Sequence, residues 1–369
     1  MKSIHHIVLT GGPCGGKTTA IVYLIEKLTE RGFVVLAIPE SATICINGGL
    51  HPLSKIVGVG TAQKAIVESA FYLENVFRDA AEAISQRKPV VIIYDRGLRD
   101  PMAYMDHGEF EKIVGSLGLH TIESRDDRYD AVFHMRTAAD GARDFYTLEN
   151  NQARYETPEQ AIVQDDKLIQ AWTGHEHVRV IDNRTDFKEK LQRLLVEVYH
   201  VLGIPAPVEF ERKFLVTLNE REIPKTAVDI DIVQAYLTPI DSPEQVRVRR
   251  RGQDGVYNYF KTSKARHSSG GMLELSERIS LDAFNMAFTL RDKSSGVIRK
   301  TRTCFFHKFQ YLELDRFHSL RIDGGDAILE IESTKAGEDV SIPLWMNVVR
   351  EVTDDPNFSN RMLSLLVRD

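Results

Sequence analysis

Two short stretches of the chain carry residue types whose spacing suits phosphate chemistry. The first, Gly11-Gly12-Pro13-Cys14-Gly15-Gly16-Lys17-Thr18, fits the pattern G-x-x-x-x-G-K-[ST] and stands between an apolar run and a helical pattern. Glycines let backbone N–H groups curl around phosphate oxygens, and the start of a helix adds its positive end. Lys17 is placed to reach the outer phosphates of a nucleotide and Thr18 to ligate Mg²⁺, with Thr19 among the nucleotide-binding residues. The second stretch is Glu209-Phe210-Glu211-Arg212-Lys213. On a strand, alternate residues share a face, so Glu209, Glu211 and Lys213 point one way.

Other residues could serve the first site. Val90–Tyr94 is an apolar strand that ends in Asp95-Arg96-Gly97. Asp95 is a candidate for the Mg²⁺ shell, its alternative being a structural ion pair at a strand end. Glu40, after Ile38-Pro39, suits a base for a substrate hydroxyl or, equally, a helix cap. Arg143 and Arg154 lie in a charged region that could close over phosphates or simply face solvent.

The alternation around Glu211 recurs at Arg247/Arg249/Arg251, Tyr259/Lys261, Lys300/Arg302, Glu313/Asp315 and Glu330/Glu332. One such strand is an ordinary solvated face. A set of them suggests a barrel lined by charge, and buried unpaired charges cost several kcal/mol each (roughly). A polyphosphate clamped by metal would balance the lining. Lysines and arginines would take phosphate oxygens, and carboxylates would hold Mg²⁺ or Mn²⁺.

The elements that position these residues fall into two groups. Residues 1–202 alternate β-branched runs (Ile4–Leu9, Phe33–Ile38, Val90–Tyr94, Ala131–Met135, Val178–Ile181) with helical patterns (Ala20–Arg31, Gln63–Gln86, Phe187–Leu202). That predicts a doubly wound α/β domain with a parallel sheet. Gly203–Pro207 reads as a helix-stopping linker. From 208 to 369, alternating strands and the turn signals Asp254-Gly255, Gly270-Gly271 and Asp323-Gly324-Gly325 predict an antiparallel barrel.

Both parts resemble known families. LTGGPCGGKTT, PESAT, YDRGLRD, the Asn150–Trp172 run and Asn183-Arg184-Thr185-Asp186 are similar to P-loop, AAA-type ATPase-like proteins related to nicotinamide riboside kinases. The C-terminal part resembles the CYTH family, the triphosphate tunnel metalloenzymes, through VEFERKFLV, QAYL, RVRRRG, YFKT, RKTR, YLELDRF, LEIES and REVTDDPNFSN, in that order. This resemblance implies a closed eight-stranded antiparallel tunnel that cleaves triphosphates with a divalent metal. It implies metal-ligand or water-activating roles for Glu209, Glu211, Glu330 and Glu332, joined by Glu313 and Asp315. Lys213, Arg247, Arg249, Lys261, Lys300 and Arg302 become phosphate ligands. Glu274-Leu275-Ser276-Glu277 departs from the family's E-x-E, and Glu277 is expected to supply the missing carboxylate. The pairing of the two parts resembles the TRP-translocation-defect proteins, linked to GTP binding and acidic phospholipids.

Composition narrows the function classes. With 369 residues, 43% hydrophobic residues and a net charge of -6, the chain has material for two cores and no bulk attraction for nucleic acid. No apolar run approaches the roughly 18 residues of a membrane span. Three scattered cysteines suggest neither a disulfide framework nor a zinc site, and fit a cytoplasmic setting. The expected function is metal-dependent hydrolysis of inorganic triphosphate or a related phosphorylated compound, with ATP or GTP bound at the P-loop. The alternatives are a nucleotide-gated protein that binds phosphorylated ligands or acidic phospholipids, and an adenylate cyclase.

Overall fold

The computed structural model describes residues 3–146, 157–204, 210–266, 272–318, 320–322, 324–333 and 339–367. Glu209, Arg154, Pro205–Pro207 and Gly270-Gly271 lie outside them. The chain divides into two compact units, Met1–Val198 and Tyr199–Asp369.

Unit 1 contains strands β1 (Ile4–Thr10), β2 (Val34–Ile38), β3 (Val90–Asp95), β4 (Ala131–Met135) and β5 (Val178–Ile181). Its helices are α1 (Lys17–Glu30), α2 (Ser41–Asn47), α3 (Val59–Ser85), α4 (His107–Ser116), α5 (Pro158–Ala171) and α6, which starts at Phe187 and runs to Leu202. The strands pair in parallel in the order β2-β3-β1-β4-β5. Side chains on both faces of β1 and β3 are buried, Ile7 to Leu9 and Val90 to Tyr94 completely. Continuous apolar runs are what a sheet covered on both faces requires. Because every strand runs the same way, their carboxyl ends share one edge. Glu40 follows β2, Gly11 follows β1, Asp95 ends β3 and Arg136 follows β4, so topology alone gathers them.

Unit 2 begins with β6 (Phe210–Leu218), β7 (Val228–Tyr236), β8 (Glu244–Gln253), β9 (Val256–Arg266) and β10 (Met272–Arg278). Helix α7 (Leu281–Thr289) follows, then β11 (Ile298–His307), β12 (Gln310–Phe317), β13 (Ala327–Ser333), β14 (Met346–Glu351) and α8 (Asn360–Leu366). The order β10-β9-β8-β7-β11-β12-β13-β6-β14 makes one antiparallel sheet of nine strands where eight were expected. The last strand, β14, pairs with β6 through an irregular register at Val348/Arg350. The β8–β9 hairpin turns on Asp254 (φ 53) and Gly255 (φ 82), both left-handed as a two-residue turn needs.

Most strands of unit 2 contribute to apolar clusters. Phe214, Val216, Phe305, Leu312, Leu314, Leu329 and Ile331 form one cluster. Val233, Ala235 and Val248 form another with Phe284 of α7. The opposite face carries the charges.

Candidate functional sites

In unit 1 the site is built on the loop between β1 and α1. Gly11, Cys14 and Gly16 take positive φ values of 138, 55 and 83, which coil the backbone tightly. The Lys17 ammonium lies back over the loop and donates to Gly11 O (2.7 Å) and Gly12 O (3.1 Å). Burial and the neighbouring Arg96 guanidinium push its pKa down to about 8, against the pull of Glu40, Asp95 and Asp165. Thr18 and Thr19 are exposed at the start of α1.

Asp95 ends β3 beside Lys17, and its carboxyl is raised mainly by burial. One of its oxygens, Oδ1, is buried and accepts no hydrogen bond among the described residues. An orphaned carboxylate oxygen at the strand end beside the phosphate-loop lysine fits the water shell of Mg²⁺. Arg96 holds a left-handed backbone (φ 69) and bonds Glu40. Burial opposes ionisation of Glu40, yet the Arg96 and Lys17 charges hold its pKa below the ordinary value. Glu40 is also the residue preceding α2, and Thr43 donates to it at 2.7 Å. Arg143 is not drawn into this group: it is exposed and pairs with Glu159 at 3.1 Å.

Residues without any motif hold the loop. Asp165 of α5 accepts from Gly12 N–H, faces His134 Nε2 (3.0 Å) and Arg136 Nη1 (2.6 Å), and is fully buried. Although burial opposes its charge, His134, Arg136 and the Gly12 N–H hold its pKa at about 2. Thr137 Oγ1 donates to Pro13 O (2.6 Å). From α6, the buried Lys190 donates to Gly15 O (3.2 Å), Arg136 O (2.8 Å) and Asn183 Oδ1 (2.7 Å).

In unit 2 the register decides which side chains share the charged face. Arg302 stands opposite Asp315, Glu313 opposite Glu330, Glu330 opposite Lys213, and Glu332 opposite Glu211. Lys213 bridges Glu211 and Glu330 at 2.9 Å each. Arg302 bonds Asp315 (2.7 and 2.8 Å), Glu313 and Glu330, and Lys300 bonds Asp315 and Asn360 (3.2 Å). Burial and the charges of Glu330 and Glu332 push Glu211 up to about 8, against Lys213. Burial pushes Glu313 up to about 7, against Arg302. Glu330 instead falls well below the carboxylate range under Lys213, Arg302 and Lys300, although burial opposes this.

Arg247, Arg249 and Arg251 of β8 fall on the same face, opposite Thr262, Phe260 and Asn258 of β9. Arg247 reaches Gln234 (3.4 Å), Arg249 lies over the Phe260 ring (5.3 Å), and Arg251 is buried. Two expected ligands are absent from this face. Lys261 stands opposite Val248, in the apolar cluster, and its ladder partner Glu277 pairs with it on the outside at 3.8 Å. Lys264, two residues from Thr262, takes the place expected of Lys261, and Glu274 stands opposite it in the ladder.

Glu211 and Glu332 stand directly opposite each other, and repulsion between two carboxylates so placed helps to keep a proton on Glu211. A cation between them would relieve it, so the donor set fits Mg²⁺ or Mn²⁺. Among the described residues no group of three His, Cys, Asp or Glu side chains already forms a ligand cage. Lys213 and Arg302 hold the carboxylates apart, and a metal would have to compete with them. Among the described residues no helix is long and apolar enough to cross a membrane.

Residues 6–190, half of the chain, match the AAA domain family. The chain belongs to that family. The matched span of this AAA domain runs from β1 through Lys190 and includes the whole phosphate loop. Among solved structures, the chain is similar to the hypothetical protein NE1496, with 26% identity over 43% of this chain and 99% of that one (TM-score 0.33). A structure of the inorganic triphosphatase NE1496 gives 25% identity over 44% and 97% (TM-score 0.33). The PH1012 protein of Pyrococcus horikoshii OT3 gives 21% identity over 35% and 79% (TM-score 0.26). No curated protein matches the chain.

Proposed function

We propose that unit 2 hydrolyses inorganic triphosphate or a related triphosphate with Mg²⁺ or Mn²⁺, while the AAA domain binds ATP or GTP at its P-loop. One observation carries the first part. A single face of the sheet holds an arginine row on β8 and a separate wall of five carboxylates (Glu211, Glu313, Asp315, Glu330, Glu332) on β6, β12 and β13.

Arg247 and Arg249, about 7 Å apart along the strand, suit successive phosphates of a linear polyanion. Their guanidinium groups would fix it by charge-assisted hydrogen bonds. Glu211, Glu330 and Glu332 would hold the metal, with Glu313 and Asp315 behind them. Lys213 and Arg302 position Glu330 and neutralise part of the wall until anion and cation arrive together. When bound, the metal supplies charge stabilisation at the phosphoryl oxygens and lowers the pKa of water. Glu211 and Glu332, at the half-buried end of the wall, are the side chains placed to take a proton from that water.

In the AAA domain, the loop N–H groups and Lys17 would receive the β- and γ-phosphates, and Thr18 and Asp95 the Mg²⁺ shell. Glu40, held ionised by Arg96 and Lys17 at the same sheet edge, is the candidate base for an acceptor hydroxyl, which supports phosphotransfer as a second activity.

The test is phosphate release from tripolyphosphate, ATP and GTP, with Mg²⁺, Mn²⁺ or chelator. Glu211→Gln keeps the shape but removes a ligand charge, and activity should fall on the order of 10²-fold. Undiminished turnover in that variant would refute the assigned site.

A further inference from the structure

The phosphate loop is gripped by a second lysine that no motif marks. Lys190 sits on α6 with 2% of its surface exposed, and all three of its N–H donors are used, on Gly15 O, Arg136 O and Asn183 Oδ1. We infer that Lys190 is a positioning residue of the phosphate cradle, one that aims the Gly16 N–H at the bound phosphates. This rests on the reading of the loop as a nucleotide site.

The geometry follows from one peptide plane. A trans peptide sets its C=O and N–H antiparallel. Drawing the Gly15 carbonyl toward Lys190 therefore turns the Gly16 N–H away from α6. In this motif the N–H groups before the lysine are the ones that hold phosphate. Gly16 is also left-handed (φ 83, ψ 18), and the Phe187 ring of α6 fills the space a Cβ would need. Phe187 and Lys190 are three residues apart, on one face of α6, so one helix face fixes both the carbonyl and the Cα of this turn. At the loop's other end, Asp165 accepts the Gly12 N–H and Thr137 donates to Pro13 O. Burial pushes the Lys190 pKa down to about 8, against the opposing pull of the Asp165 and Asp182 carboxylates.

A purely structural role, tying β4 to α6 through Arg136 O and Asn183, would lower stability without touching affinity. The two roles separate in a calorimetric titration of the full chain at low temperature with ADP and with inorganic pyrophosphate. Lys190→Met should weaken both ligands by about tenfold or more, and by a similar factor, because both rely on the same N–H groups. Lys190→Arg, which keeps a cation, should recover most of that loss. Lys190→Gln, which keeps one donor group, should fall between and serves if the methionine variant does not fold. Affinities within about twofold of the parent chain, beside a lowered melting temperature, would overturn the positioning role. Failure of the parent chain to bind ADP would instead overturn the nucleotide site itself, and this inference with it.

Discussion

Replacing Arg302 by methionine tests whether the carboxylate wall is held by the few cations that touch it. Five carboxylates line the wall, and Lys213, Lys300 and Arg302 are bonded to four of them. Removing Arg302 leaves Asp315 with Lys300 and Glu330 with Lys213. Glu313 loses the guanidinium that opposes its burial. Breaking a buried pair costs about 3–5 kcal/mol, and the two surviving lysines argue for the lower end, about 3. At about 2–4 °C per kcal/mol for a unit this size, the melting temperature of unit 2 should fall by about 6–12 °C. Calorimetry of the full chain separates the units, since ADP shifts only the transition of the AAA domain. Millimolar Mn²⁺ should restore part of the loss in the variant, because a cation again meets the carboxylates. A fall under about 2 °C, or a fall confined to the ADP-responsive transition, would refute the assignment of Arg302 as the hub.

Lys17→Ala should abolish nucleotide binding while leaving tripolyphosphate hydrolysis intact, measured by calorimetry and phosphate release. Hydrolysis lost in a folded variant would refute independent sites. Arg249→Ala should lower tripolyphosphate hydrolysis on the order of 10²-fold, whereas the paired change Lys261→Ala with Glu277→Ala should leave it within about twofold. The reverse ranking would refute the register. Asp165, held at about 2 against an ordinary 3.8, gives stability that is full above about pH 4 and lost as pH falls toward 2. Roughly 2 kcal/mol of the AAA domain's stability should vanish over that window in the parent chain, and Asp165→Asn should flatten the acid limb of a pH-dependent melt.

Most of unit 1 was legible because its strands are apolar on both sides. Val178–Ile181 and Ala131–Met135 were read to the residue, and Val90–Tyr94 to within one. Helix starts were harder. Expected to begin at Ala20, α1 begins at Lys17, since the loop's own Gly16 ends the coil and no acidic or hydroxyl cap marks the boundary. Nor does any local signal mark the β11–β12 hairpin, where Lys308 (φ 46) and Phe309 (φ 65) take left-handed conformations that glycine or asparagine would usually supply. Pairing on both sides holds them there.

The misplacement of Lys261 has a different cause, because the needed information was present. Asp254-Gly255 is a two-residue turn that sets Gln253 opposite Val256. Counting back along both strands then places Arg249 opposite Phe260, Arg247 opposite Thr262, and Lys261 opposite the buried Val248. Alternation alone cannot settle the matter, since Tyr259-Phe260-Lys261-Thr262 offers an amphipathic face in either phase. A turn fixes the phase, and a one-residue slip exchanges the faces. Asp165 and Lys190 show the opposite limit. Each is a single charged residue on a helix, indistinguishable in sequence from a solvated one, and each is satisfied in its buried place by groups distant in sequence, a loop N–H or C=O among them. Residues that hold ligand repeat in patterns, whereas those that hold the loop in shape are defined by partners scattered along the chain, which only the fold brings to them.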